Sequence, residues 1–205
     1  MLMADILDYV AWRGDLDFLK SPLNEVDALI FSQMSYLNFT GIVGESFDSG
    51  AVTLADCCDA FFHAADYEKR SNVGMLINKK TVELLKACGQ SRRFGSLKVR
   101  GFVEKIDYEN EEQFSAVTFT FTAGGKKGWN FIAFRGTDDT IVGWKEDFNL
   151  GYMDTVPAQT DAVAYLEKAA RCCKGRLVVG GHSKGGNLAL YAGSCASDKA
   201  KKRIV

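Results

Sequence analysis

Ser183 lies within Gly181-His182-Ser183-Lys184-Gly185, a G-x-S-x-G pattern that follows the apolar run Leu177 to Val179. Small and apolar residues at helical spacing come after it. Strand, sharp turn and helix in that order form the setting in which this pattern presents a serine as a nucleophile. Such a turn requires positive φ at the serine, and glycines flank it because a Cβ there would clash. The chemistry expected is acyl transfer: attack of the serine Oγ on a carbonyl, with hydrogen-bond donors aimed at the oxyanion. One donor is the backbone N–H of the next residue, Lys184. The other is expected from the loop Phe134-Arg135-Gly136-Thr137-Asp138-Asp139, which follows a buried-looking strand. Thr137 stands at the donor position beside Gly136, and its hydroxyl offers a further donor. Trp144 and Asp147, three residues apart, read alone as a core aromatic and a solvated or capping acid. In a hydrolase they would brace the oxyanion loop.

A serine nucleophile needs a base, and the chain has two histidines. His182 adjoins Ser183, and neighbours of the nucleophile point away from it in this turn. His63, among Phe61, Phe62 and Ala64, reads as a structural histidine. The Lys184 side chain is expected near the mouth of the site; a Ser–Lys dyad, attraction of an anionic substrate and plain solvation stay open for it. Asp138, Asp139 and Asp154 read as loop caps. In this arrangement the acid and the histidine follow the serine, and the sequence given reaches Val205 first. The expectation is therefore a shortened form of a longer protein, with Asp and His beyond Val205.

The elements that must position these residues follow from periodicity. Helices are expected over 2–12, from Ser21-Pro22-Leu23-Asn24 through Tyr36, over Thr53–Ala65 and over Asn72–Cys88, so residues 1–95 form a helical N-terminal portion. Residues 96–205 form the sheet core. Leu97–Tyr108, Gln113–Thr122 and Trp129–Phe134 alternate as antiparallel strands, the last two joined by a turn at Gly124–Gly128. Asp147–Tyr152 is expected as a short strand, Pro157–Cys173 as a helix, Arg176–Gly180 as a strand, and Asn187–Cys195 as the helix after the turn. Arg203-Ile204-Val205 reads as the start of another strand. Strand–helix alternation in this half predicts parallel pairing with crossovers. The whole is one α/β domain, with a mixed, mostly parallel sheet whose further C-terminal strands are absent. That leaves the strand Arg176–Gly180 with an open side, through which self-association is expected.

With 205 residues, 47% of them hydrophobic, and 25 basic against 26 acidic side chains, the chain can bury a sizeable core. The charge balance gives no case for nucleic acid or an anionic membrane. No apolar run has transmembrane length, and the acidic N-terminus lacks the basic region of a signal peptide. Six cysteines without metal spacing read as buried reduced thiols, which suggests a cytoplasmic protein. No metal or organic cofactor is expected.

Taken together, Phe134-Arg-Gly-Thr137, Trp144-Lys-Glu-Asp147 and Gly181-His-Ser-Lys-Gly-Gly-Asn-Leu-Ala189 resemble the class 3 lipase branch of the α/β-hydrolases. More closely, they look like a bacterial family of uncharacterised α/β-hydrolase proteins that carries Lys where lipases usually have Leu after the serine. Asn24–Tyr36 is similar to that family's N-terminal region, so the resemblance spans about 24–205. It implies a hydrolase fold and esterase- or lipase-type activity on a small ester or lipid, through an acyl-serine at Ser183. The rival expectation is a hydrolase-like domain without catalysis, used for binding or assembly.

Overall fold

In a computed structural model the described residues are 4–74, 77–122 and 128–205. Side-chain caps set where the first helices begin. Asp5 accepts from the Leu7 and Asp8 N–H groups at the start of α1 (Ile6–Arg13), and Asn24 does the same for Val26 and Asp27 at α2 (Glu25–Met34). Thr53 caps α3 (Leu54–Phe62). A single turn, α4 (Tyr67–Arg70), precedes α5 (Lys80–Gln90). α5 starts later than the predicted Asn72, because Gly74 takes a left-handed φ of 85° that no helix continues through.

The strands β1 (Val52–Thr53), β2 (Lys98–Asp107), β3 (Glu112–Phe121), β4 (Trp129–Phe134) and β5 (Arg176–Gly181) lie in sequence order across one sheet. Only β4 and β5 pair in parallel; the other pairings are antiparallel. The sheet is thus mixed and mostly antiparallel, a correction to the expected parallel majority. The antiparallel pairs β2–β3 and β3–β4 are those expected, whereas Asp147–Tyr152, expected as a further strand, is not in the sheet. The turn 108–111 joins β2 to β3 with Asp107 Oδ1 accepting from the Glu109 and Asn110 N–H groups, and such a tight link allows only antiparallel pairing. The predicted turn at Gly124–Gly128 falls almost wholly outside the described residues. Between β4 and β5 the helices α6 (Ile141–Asn149) and α7 (Pro157–Cys172) supply the crossover that a parallel pair needs.

α6 replaces the predicted strand Asp147–Tyr152. Thr140 caps it through the Gly143 N–H, and Val142, Gly143, Glu146 and Asn149 are buried at helical spacing. The next helix, α8 (Lys184–Cys195), starts immediately after Ser183 rather than at Asn187, and α9 (Asp198–Lys201) follows. Side chains alternate along β4 and so build two cores. Phe131 and Ala133 join Ile30, Phe31 and Leu84 under the N-terminal helices. Ile132 and Phe134 join Ala162, Leu166 and Leu188 under α7 and α8. The result is three layers, helix on sheet on helix.

The expected strand start near the C-terminus is present at one residue. Ile204 bridges Leu177 in parallel, with Leu177 N–H donating to Arg203 O and Val205 N–H to Leu177 O. Beyond it, the outer side of β5 borders a groove of about 580 Å³ lined by Val179, Gly181, Ala189 and Leu190 among others. All six cysteines are free thiols. Cys57, Cys58, Cys88 and Cys173 are buried as expected, whereas Cys172 and Cys195 are exposed. Among the described residues no helix is long and apolar enough to cross a membrane.

One ion pair ties the N-terminal layer together. Arg93 and Asp27 are fully buried, 2.5 Å apart. Arg93 also donates to the carbonyls of Leu16, Ser21 and Pro22, and its guanidinium lies 3.9 Å from the Phe18 ring centroid. Asp27 in turn accepts from the Asn24 N–H and the Tyr9 hydroxyl. Arg93→Met strands the Asp27 charge, and removing one partner of a buried pair costs about 3–5 kcal/mol. Urea unfolding is expected to show that loss as a lower midpoint; a midpoint within error of the parent would contradict the assignment.

Candidate active site

Ser183 has φ 57° and ψ −126°, between the end of β5 and the first turn of α8. Holding a non-glycine residue there costs about 1–3 kcal/mol and needs surrounding structure that leaves no alternative. The glycines supply it. A Cβ on Gly185 would lie 2.2 Å from the Phe134 carbonyl oxygen, and one on Gly181 2.5 Å from the same atom. The turn backbone therefore presses directly on the end of β4. Gly185 N–H donates to His182 O and Gly186 N–H to Ser183 O, closing the turn. Ser183 is exposed, and its side chain makes no capping bond to α8. The hydroxyl is presented at a strand tip, as the pattern predicted.

The loop that leaves β4, Arg135 to Asp139, abuts this turn. A Cβ on Gly136 would sit 2.4 Å from His182 O and 2.3 Å from the Tyr36 hydroxyl. Tyr36, just past α2, thus lays its hydroxyl against Gly136, and its Oη lies 3.2 Å from His182 Nδ1. Burial pushes the Tyr36 phenol up to about 12. No spacing rule linked Tyr36 to Gly136; its only sequence signal was its place at the end of the Asn24–Tyr36 segment.

Thr137 Oγ1 donates to Asp147 Oδ2 at 2.5 Å. Asp147 thus ties this loop to α6. The same bond commits the Thr137 hydroxyl proton, so the side chain is not the further donor that the sequence suggested, and Thr137 has its backbone N–H to offer. Trp144 is neither core nor brace: it stands on the outer side of α6, 46% exposed.

Lys184 departs most from expectation. Its side chain is fully buried and runs away from the mouth. Nζ donates to Glu146 Oε2 at 2.6 Å and to the Gln113 carbonyl at 2.7 Å. Glu146 completes the cluster by accepting from the Ala158 and Gln113 N–H groups at 3.0 and 3.1 Å. This placement removes both the Ser–Lys dyad and the attraction of anionic substrates. The Lys184 backbone N–H lies in the first turn of α8, where an N–H has no partner within the helix.

Neither histidine serves Ser183 as a base here. His182 faces Tyr36, and His63 Nδ1 contacts Asp59 O at the end of α3. Asp138 is a loop cap, accepting from Thr140 N–H and pairing with Arg135. Beside Gln113, Glu112 is buried with Lys105 Nζ 2.6 Å away, and Lys105 also pairs with Asp161. Glu112 Oε1 has no donor. Burial, and then the neighbouring Asp161 carboxyl, push the Glu112 carboxyl up to about 7.

The sequence pattern that defines the Mbeg1-like family matches residues 88–205, more than half of the chain and all of the elements from β2 onward, and the chain belongs to that family. No curated protein and no solved structure matches the chain.

Two measurements probe this geometry. Gly185→Ala forces a methyl into the Phe134 carbonyl, and overpacking of this kind costs about 1–3 kcal/mol; a lower urea midpoint is expected, and an unchanged one would mean that the turn does not press on β4. The folded state holds the Glu112 proton up to about pH 7, whereas the unfolded chain releases it near its ordinary 4.5. Stability from this group is therefore complete below pH 4.5 and is lost as pH rises to about 7. Glu112→Gln is expected to flatten the parent's decline over that window in paired urea titrations, and parallel curves would refute the shift.

Proposed function

We propose that this Mbeg1-like chain carries the nucleophile and oxyanion site of a serine hydrolase of the α/β-hydrolase type, related to class 3 lipases, acting on a small ester or lipid. The observation that carries the reading is the exposed Ser183 at positive φ, between a strand tip and a helix start. A regular turn of the chain needs no such strain, and residues held in this state cluster at functional sites.

In the proposed reaction Ser183 Oγ attacks the acyl carbon and loses its proton to a base. The backbone N–H groups of Thr137 and Lys184 stabilise the oxyanion of the tetrahedral intermediate. The bond to the alcohol oxygen breaks, the base returns the proton to that oxygen, and the alcohol leaves an acyl-serine. Water then attacks the acyl carbon, the serine regains its proton, and the carboxylic acid departs. The base in this scheme is a histidine from outside residues 1–205, because His182 and His63 are both engaged elsewhere.

That engagement also favours a second reading, a hydrolase-like domain that binds without turnover. A fluorophosphonate distinguishes the two. The hydrolase reading expects an adduct on Ser183, located by peptide mass spectrometry and absent in Ser183→Ala. No adduct after prolonged exposure supports the binding domain instead. A further expectation concerns rate. General-base help is worth about 10² to 10⁴, so these 205 residues alone should hydrolyse p-nitrophenyl acetate more slowly than a complete triad enzyme by that order. A rate at the level of complete hydrolases, lost in Ser183→Ala, would place a base within this chain.

A further inference from the structure

The ion pair under the turn sits where a hydrophobic contact would serve packing equally well. Replacing a buried pair with apolar residues of similar volume is often neutral or stabilising, so such a pair is weak evidence of a stability role. Its geometry, however, is highly specific. Lys184 is the first residue of α8, directly after the strained Ser183. Its Nζ is fixed by Glu146 from α6 and by the Gln113 carbonyl from β3, while the same Glu146 is held by N–H groups of Gln113 and Ala158. Four elements meet at one carboxylate: α6, β3, the start of α7, and α8. Every charged atom in the cluster has a backbone partner, so neither side chain has a second place to go.

The neighbour of Glu146 completes the argument. Asp147, the next residue of α6, holds Thr137 through a 2.5 Å hydrogen bond. Consecutive carboxylates on one helix therefore grip the two residues that carry the two oxyanion donors. We propose that Glu146 is a positioning residue: through its ion pair with Lys184 it fixes the Lys184 backbone N–H, and α6 thereby sets the separation of that donor from the Thr137 N–H. This rests on the hydrolase reading for its chemical purpose. The lysine in the G-x-S-x-G turn then acts below the site as a tether, and its charge never meets the substrate.

The test uses Glu146→Gln/Lys184→Met. The glutamine keeps an acceptor for Ala158 N–H but withdraws the one for Gln113 N–H, and the methionine fills the space of the lysine stem, so melting and exchange at Phe131 report whether the fold persists. Two readouts are taken against thermal unfolding: amide hydrogen exchange at Gly185 and Gly186, with Phe131 in β4 as internal reference, and the rate of fluorophosphonate reaction at Ser183. The proposal expects an unchanged melting temperature and unchanged exchange at Phe131. It also expects exchange at the two glycines faster by about tenfold, and labelling slower by about tenfold or more, because a misplacement of about 1 Å costs up to 10². Exchange and labelling at parental rates would overturn it. If the double variant does not fold, Glu146→Asp keeps the charge but withdraws the carboxylate by one methylene, and the same outcomes are read on it. Absence of any adduct on parental Ser183 sinks the hydrolase reading, whereas parental exchange at Gly185 and Gly186 in the variant sinks the tether; the two failures are separately visible.

Discussion

The site depends on two stretches of backbone lying closer together than any side chain permits. The carbonyl of Phe134 ends β4 within touching distance of the turn that ends β5, and glycine at 181 and 185 is the condition for that contact. Parallel pairing from Trp129↔Arg176 to Phe134↔Gly181 brings the two strand ends level. Once they are level, the chain leaving β5 has no room to relax, and Ser183 is forced to positive φ. The loop leaving β4 emerges beside it for the same reason, so Gly136 meets the His182 carbonyl. Strain at the serine and nearness of the Gly136 loop are two results of one packing constraint.

Around this contact the protein buries charge in a consistent way. Arg93–Asp27 in the N-terminal layer and Lys184–Glu146 below the turn are each fully inaccessible to solvent. In both, the carboxylate also accepts backbone N–H groups and the cation also donates to backbone carbonyls. Taking two ions out of water costs several kcal/mol each, and only complete hydrogen bonding offsets it. What such pairs add is uniqueness of arrangement: an apolar contact tolerates sliding, whereas a carboxylate with three fixed donors does not.

The parts of this molecule legible in the sequence were those governed by local rules. The strand β4 came out residue for residue from its apolar run, and the helices after Asn24 and Thr53 from their apolar spacing. The strained serine followed from its flanking glycines. Other features depended on partners distant in sequence. Asp147–Tyr152 was expected as a strand, but the Thr140 cap and the inward spacing of Val142 and Glu146 carry a helix through Asn149. Lys184 looked like a mouth residue because lysines normally seek water; its burial is intelligible only once Glu146 and Gln113 stand opposite. Tyr36 was invisible as a site residue because nothing local joins it to Gly136. The parallel majority failed because it counted on further strands beyond the antiparallel set, and the one expected at Asp147–Tyr152 is not in the sheet.

The spans of these hydrogen bonds along the chain carry a kinetic consequence. The β2–β3 hairpin closes on a handful of residues, but Lys184 meets Glu146 across 38 residues and Gln113 across 71, and Tyr36 meets His182 across 146. Contacts of such separation form slowly, because the entropy of closing long loops is lost before the contact rewards it. During synthesis, Tyr36 emerges long before its partner exists, and the N-terminal layer has the opportunity to gather around Arg93–Asp27 first. The Ser183 turn is thus assembled at the end of folding, from pieces that have already settled, and an exposed serine under strain is displayed only by chains whose strands have found their final alignment.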